Sequence, residues 1–270
     1  MSEKQSIFTF DGSRYMPTDW AVGPWDPQLL HGGATATLLA HGIEATQPEP
    51  DWLLAKLNFD FFRPIRKTPM TLRTEIVREG KRVRLVDAFL AEEDVVVARA
   101  SGFMVAPTYD APAPLIPATH APASWQGLNP VTDAGTGRHL QFNSDIEFRP
   151  ITAPFSGPGI VVWVKAPYDL LPGTPLTPTC RTAAMSDFAN AIGIWSDPAR
   201  RGFINADIAL STYRRQRGDW LCLESAARPD GDGIAVSNVL LYDEAGLFGS
   251  VSTVCLAKPM KSLSEGAPAA

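Results

Sequence analysis

The chain of 270 residues carries only three cysteines, Cys180, Cys222 and Cys255. They are widely spaced and form no Cys-x-x-Cys pair, which argues against a disulfide framework or a zinc site. Each is expected as a small buried apolar side chain in a reducing compartment. No apolar run approaches the ~20 residues that a membrane span needs. The opening MSEKQSIFTFDG lacks the apolar core of an export signal, so a cytoplasmic protein is expected. Positive charge is in deficit, with 24 Lys and Arg against 29 Asp and Glu, which speaks against a nucleic-acid partner. The four histidines, His31, His41, His120 and His139, form no His-Glu-x-x-His or Cys/His cluster, so no metal ligand set is indicated. No Gly-x-Ser-x-Gly is present, so a nucleophile elbow is not indicated. Gly135-Thr136-Gly137 follows a Pro-rich stretch rather than a strand and is no dinucleotide fingerprint.

What is present begins with His31–Thr46, HGGATATLLAHGIEAT. Leu30, Ala34, Leu38, Leu39 and Ile43 fall at helical spacing. The small residues Gly32 to Thr37 allow a helix to lie very close to a neighbour. The glycine pair at its start brings N–H groups toward a bound oxygen where the helix dipole favours negative charge. Pro48 and Pro50 end the helix. Leu54–Arg63, Met70–Glu79, Lys81–Ala91 and Val95–Val105 then alternate as strands, the last two joined by the acidic turn Glu92-Glu93-Asp94. Ile7–Phe10 reads as a first strand. Residues 108–140 are rich in Pro, Ala and Gly and have no periodicity, which marks a linker.

Beyond the linker the order repeats. Strands are expected at Ser144–Arg149 and Ile160–Lys165, and one helix at Arg181–Trp195. Further strands are expected at Phe203–Arg214, Trp220–Ala227, Ile234–Asp243 and Gly249–Lys258. Phe61–Pro64 matches Thr212–Arg215 about 151 residues later, and VARASGFMVAP matches GSVSTVCLAKP 152 residues later. A repeat at this scale implies two copies of one fold packed as a pseudo-dimer. The boundaries read as 1–107, 108–140 for the linker, 141–262, and a tail at 263–270.

HGGATATLLAHGIE, the strand LNFDFFRPI, the helix MSDFANAIG and the closing LYDEAGLFGSVSTVCLAKP together resemble the double-hotdog acyl-CoA thioesterases of the thioesterase II type, over roughly residues 5–260. The resemblance implies an α+β double hotdog, two tandem repeats each with a long helix wrapped by a curved antiparallel sheet. It implies hydrolysis of a fatty acyl-CoA to free acid and CoA, with no metal or organic cofactor, and a homo-oligomer. In that family an Asp on the second helix, a Thr or Asn on the next strand and a Gln on the last strand converge on one water. The matching positions here are Asp187, Asn205 and Val254. Val254 departs from the pattern, and strand alternation assigns Ser252 to its face and Thr253 to the other, so Ser252 is the expected third polar group.

The residues themselves allow this chemistry. Thioester hydrolysis needs a positioned water, a base and donors for the developing oxyanion. Asp187 has small and apolar neighbours, and burial would raise its pKa toward that of a useful base. A positioned base contributes ~10²–10⁴-fold, about 3–5 kcal/mol. The plain alternative is a solvated carboxylate or a partner of Arg181 or Arg214. Asn190, three residues on, shares the helix face of Asp187, and Asp207 is expected to face the same way as Asn205. His31, Gly32, Gly33 and Asn190 are the expected substrate-binding residues, with capping or tight packing as the ordinary alternative. Leu38, Phe59, Phe61, Phe188 and Trp195 suit an acyl tunnel or a core equally. The basic run Tyr213–Arg217, with Lys81, Arg82 and Arg84, reads first as solvated strand ends and second as a site for CoA phosphates. A non-catalytic acyl-CoA-binding protein stands as the main alternative. A hydratase or dehydratase would require an Asp/His or His/Glu pair and ranks lower, because the second-half helix has no His. A ligand-free structural pseudo-dimer has only the missing Gln in its favour.

Overall fold

The computed structural model describes residues 5–24, 26–106, 122–131, 141–197, 202–225 and 228–257. His120, His139, Gly135–Gly137, linker residues 108–121 and 132–140 and the tail 263–270 lie outside them. The first half runs β1 (Phe8–Phe10), β2 (Tyr15–Pro17), α1 (Gly32–Glu44), β3 (Leu53–Phe61), β4 (Met70–Glu79), β5 (Val83–Glu92) and β6 (Val95–Val105). The second runs α2 (Gln141–Ser144), β7 (Glu147–Pro150), β8 (Ile160–Lys165), the small pair β9 (Asp169–Leu171) and β10 (Thr174–Pro175), then α3 (Pro178–Ser186) and α4 (Phe188–Trp195). It closes with β11 (Phe203–Asn205), β12 (Asp207–Thr212), β13 (Leu221–Ser225), β14 (Asp230–Gly231), β15 (Ile234–Asp243) and β16 (Gly246–Ala257). No helix among the described residues is long and apolar enough to cross a membrane.

The long strands form one antiparallel sheet in the order β1-β2-β4-β5-β6-β3-β12-β16-β15-β13-β8-β7. The order on one side of the β3–β12 junction mirrors that on the other. At the junction Leu57 pairs with Leu210, Asn58 with Ala209 and Phe59 with Ile208. The internal repeat therefore becomes a pseudo-dyad within a single sheet, which is the double hotdog.

Each half wraps its helix because alternate strand residues point inward. Along β5, Val86, Ala88 and Leu90 are buried against α1. α1 itself is buried nearly all round, at ten positions from Gly33 to Ile43. Its small residues are a packing requirement: a Cβ on Gly33 would sit 2.4 Å from the Ala184 carbonyl oxygen of α3, and one on Gly42 would sit 2.7 Å from Leu72. α1 and α3 run antiparallel. The Thr177 cap of α3 donates to Glu44 at the far end of α1 (2.6 Å), while the start of α1 meets the end of α3. Leu38, Phe59, Phe188 and Trp195 belong to this core, with Phe61 packed against it.

Three expectations change. The single helix expected at Arg181–Trp195 begins earlier, at Pro178, where Thr177 caps Cys180 N–H (3.1 Å) and Pro occupies the first turn at no cost in hydrogen bonds. It is also interrupted at Asp187, whose backbone carbonyl accepts from the Asn205 side chain (3.1 Å). The strand expected at Phe203–Arg214 is broken at Ala206. Asn205 pairs with Cys255 but Ala209 with Ser252, so one extra residue is accommodated and the alternation resets. Asp207 consequently turns outward, where it accepts from Val254 N–H (2.7 Å). Finally, the described part of the linker packs on the sheet: Trp125 stacks on Trp220 at 4.6 Å, and Trp163 donates to the Ala123 carbonyl (2.8 Å).

The basic run is structural. Arg214 makes a two-pronged pair with buried Asp243 (2.6 and 2.8 Å), which also accepts from Arg217 N–H (2.7 Å) and Ala245 N–H (2.8 Å). Arg215 donates to the carbonyls of Pro50 and Trp52. Burial alone would raise the Asp243 carboxyl, but Arg214 and the two amides outweigh it and hold it below the usual range. A folded pKa below the unfolded one stabilises the fold above the ordinary carboxylate range, and that stabilisation fades as pH falls through the lowered value. Asp243→Ala leaves Arg214 without its partner. It is expected to cost ~3 kcal/mol and to lower Tm by about 10 °C at pH 7, measured by thermal unfolding, with a smaller deficit at pH 3.

Candidate active site

The start of α1 is built around His31. Its backbone is extended, as an N-cap requires, and its Nδ1 lies 2.9 Å from Gly33 N. The same Nδ1 lies 3.0 Å from Asp187 Oδ2, and Gly33 N–H points at that oxygen from 2.9 Å. An unprotonated Nδ1 would set two lone pairs against each other at this distance. A proton therefore lies between them, and Gly33 N–H donates to the carboxylate rather than to the ring. The imidazole is stacked against both Phe142 (4.5 Å) and Phe188 (5.2 Å), whose rings also contact each other at 6.4 Å, and this aromatic cluster fixes its plane. The His31 and Asp187 side chains are 8% and 10% exposed, so the pair is all but removed from water.

The other carboxylate oxygen, Oδ1, accepts from Asn205 Nδ2. Both hydrogens of that amide are thus engaged by Asp187, one on its side chain and one on its backbone carbonyl. Three donors converge on a group with about four acceptor positions, which leaves one for a water or substrate proton. Gly32 is required for the same reason, because a Cβ there would sit 2.6 Å from Asp187 Oδ1.

The sequence expectation of a raised Asp187 pKa is overturned. Burial does push it up, but the charge and hydrogen bond of His31, the Asn205 amide and Gly33 N–H together outweigh burial and hold the carboxyl below the usual range. Asp187 is ionised at neutral pH.

The last strand presents the opposite face from the one expected. Because Asn205 pairs with Cys255, it is Cys255 (Sγ 3.6 Å from Asn205 Oδ1) and Thr253 (Oγ1 3.5 Å) that face the cluster. Thr253 gives its hydroxyl hydrogen chiefly to the Asp207 carbonyl at 2.6 Å, and the Cys255 thiol is placed to donate to Asn205 Oδ1. Ser252 and Val254 lie on the outer face, and Val254 is 39% exposed. The departure at Val254 therefore does not leave a hole in the cluster. Asn190 does not join the site either. Its amide donates to the Phe203 carbonyl (2.8 Å) and its oxygen accepts from buried Arg228 (3.3 Å), which braces α4 on β11. Phe142 went unnoticed in the sequence because a four-residue helical turn after a Pro-rich linker carries no periodicity. Thr253 could have been found by counting the alternation back from a Cys255 paired with Asn205.

Among the described residues no cluster of His, Cys, Asp and Glu is placed to hold a metal ion. A small open cleft lies elsewhere, at the start of α3, between Leu54, Leu57, Thr182, Leu210 and Arg215. It is the pseudo-dyad counterpart of the His31 end. Ten residues after each helix cap stand Asp187 in one copy and His41 in the other, so the carboxylate at this end, Glu44, comes from a different position and meets the Thr177 cap.

Two sequence models match consecutive parts of the chain, an acyl-CoA thioesterase N-terminal domain over residues 21–105 and an acyl-CoA thioesterase C-terminal domain over 112–257. No match was found among curated proteins. Among solved structures, a candidate thioesterase II from Thermobifida fusca is similar over 96% of this chain and 99% of its own, with TM-score 0.73 and 14% identity. A candidate thioesterase from Novosphingobium aromaticivorans aligns over 93% and 98%, with TM-score 0.71 and 18% identity. Acyl-CoA thioesterase II from Mycobacterium marinum aligns over 86% and 91%, with TM-score 0.66 and 18% identity. At these identities the structures establish a shared fold.

The pairing of His31 with Asp187 is open to a double-mutant cycle. His31→Ala should destabilise the protein more in the native background than in Asp187→Asn, with a coupling of at least ~1 kcal/mol at pH 7 by urea unfolding.

Proposed function

Since the chain belongs to the acyl-CoA thioesterase family, matched across both halves, we propose that it hydrolyses a fatty acyl-CoA thioester with Asp187 as the base. The supporting observation is a desolvated carboxylate held at the start of α1 by donors from both halves, with one acceptor position left. A water held at that position gives a proton to Asp187 as its oxygen attacks the thioester carbonyl carbon. The tetrahedral intermediate collapses with cleavage of the C–S bond, and the proton passes to the departing CoA sulfur. The products are the free acid and CoA thiol. The start of α1 favours the negative charge that develops on the carbonyl oxygen. His31 and Asn205 act as positioning residues, keeping Asp187 ionised and aimed. The low Asp187 pKa makes it a modest base, which suits a thioester, already an activated acyl group.

The His31–Asp187 pair also bears on a second reading, interconversion of a 3-hydroxyacyl-CoA and a 2-enoyl-CoA. Dehydration by this pair needs Asp187 protonated to give a proton to the departing hydroxyl while His31 takes the α-proton. An aspartate held below its usual pKa is poorly suited to be that acid, so hydrolysis is the better fit.

Purified protein with a series of acyl-CoAs and a chromogenic thiol reagent tests the proposal. Turnover is expected, with kcat lowered ~10²–10⁴-fold by Asp187→Ala. Ser252→Ala, on the outer face, is expected to stay within twofold of the native rate. Binding without turnover for every chain length would instead indicate a non-catalytic acyl-CoA binder. Absorbance change with a 2-enoyl-CoA and no thiol release would indicate the hydratase reading.

A further inference from the structure

The two halves differ at their outer strands. In the second half β13 is covered along its outer edge by β8, with five residue pairs from Leu221↔Val164 to Ser225↔Ile160. In the first half the equivalent strand, β4, is paired along its length with β5 only. Among the described residues its other edge meets β2 at the single pair Tyr15↔Met70. From Arg73 to Glu79 both faces of β4 are exposed, including Ile76 at 46% and Val77 at 52%. A bare strand edge of this length is a template for another strand, and proteins usually blunt it.

The sequence of this edge is self-complementary. An antiparallel copy centred on Thr74 sets Leu72 opposite Ile76 on one face, and Arg73 opposite Glu75 on the other, each twice. Within one chain Arg73 already lies 3.3 Å from Glu75 and over the Phe89 ring (4.1 Å), so both charges are held on the outer face beside the edge. The β4–β5 register shifts between Ile76 and Arg78, where Val77 is the extra residue. Such a bulge ends regular pairing, which confines the match to Leu72–Ile76. The chain already uses one antiparallel junction of this kind, β3 with β12.

We propose that a second copy of this chain docks here, β4 to β4, and extends the sheet across a molecular two-fold. Five paired residues form a small interface beside the ~1,200–2,000 Å² of a stable complex, so the dimer is expected to be weak, with Kd of ~10–100 µM. Sedimentation velocity over a concentration series tests it with native protein, Glu75→Arg and the double variant Arg73→Glu/Glu75→Arg. The native chain should dimerise. Glu75→Arg sets Arg73 against a new arginine twice and should raise Kd at least about tenfold, and the double reversal should restore it. Circular dichroism and Tm, unchanged in all three, show that the exposed substitutions leave the fold intact. A native protein that is monomeric throughout, a dimer indifferent to Glu75→Arg, or a folded double variant that stays monomeric would each overturn the proposal.

Discussion

The buried contact between His31 Nδ1 and the Asp187 carboxylate is the one on which the arrangement of the two halves turns. Its members come from opposite copies of the repeat, one at the start of α1 and the other at the break between α3 and α4. A lone carboxylate so nearly removed from water would be costly. Here the first half supplies His31 Nδ1–H and Gly33 N–H, and the second supplies Asn205, so neither half satisfies the charge alone. The same contact explains the glycine pair, since Gly32 has no room beside the carboxylate and Gly33 has none beside Ala184.

Charge satisfaction and helix packing thereby constrain one another. α1 must lie close against α3 for Gly33 to reach Asp187, and small side chains along α1 allow that approach. Asn205 reaches Asp187 because its carbonyl partner sits at a helix break and because a bulge at Ala206 separates β11 from β12. The dyad-related end of the helix pair has the cleft but has His41 where the carboxylate would be. The acidic group at that end is Glu44, three residues further along, where it accepts from the Thr177 cap of α3.

Much of this was legible in the sequence where a single physical pattern dominated. The alternation in Met70–Glu79, Val95–Val105, Ile160–Lys165 and Ile234–Asp243 marks strands whose ends agree with the structure, because each pairs with a neighbouring strand and the side chains of a paired strand alternate between two faces. The pseudo-dimer followed from the repeat, and the resemblance brought attention to Asp187 and Asn205. What was not legible depends on long-range contacts. The helix break at Asp187 is maintained by an amide eighteen residues away, and nothing local announces it. The bulge at Ala206 turned Asp207 outward, and the pairing of Asn205 with Cys255 placed Thr253 rather than Ser252 inward. His31 is expected from the sequence as a substrate-binding or capping residue, but its contact with Asp187 spans 156 positions and no spacing rule reaches that far. The direction of the Asp187 pKa followed the same course, since burial was foreseeable and the opposing donors were not.

Donors from both halves hold Asp187 ionised despite its burial. The most direct measurement is a ¹³C NMR titration of its side-chain carboxyl, assigned by comparison with Asp187→Asn. In the native protein a carboxylate resonance is expected to persist below pH 3.8, the ordinary aspartate value, and in His31→Ala the midpoint should move upward. A native midpoint at or above that value, or one indifferent to the loss of His31, would contradict it.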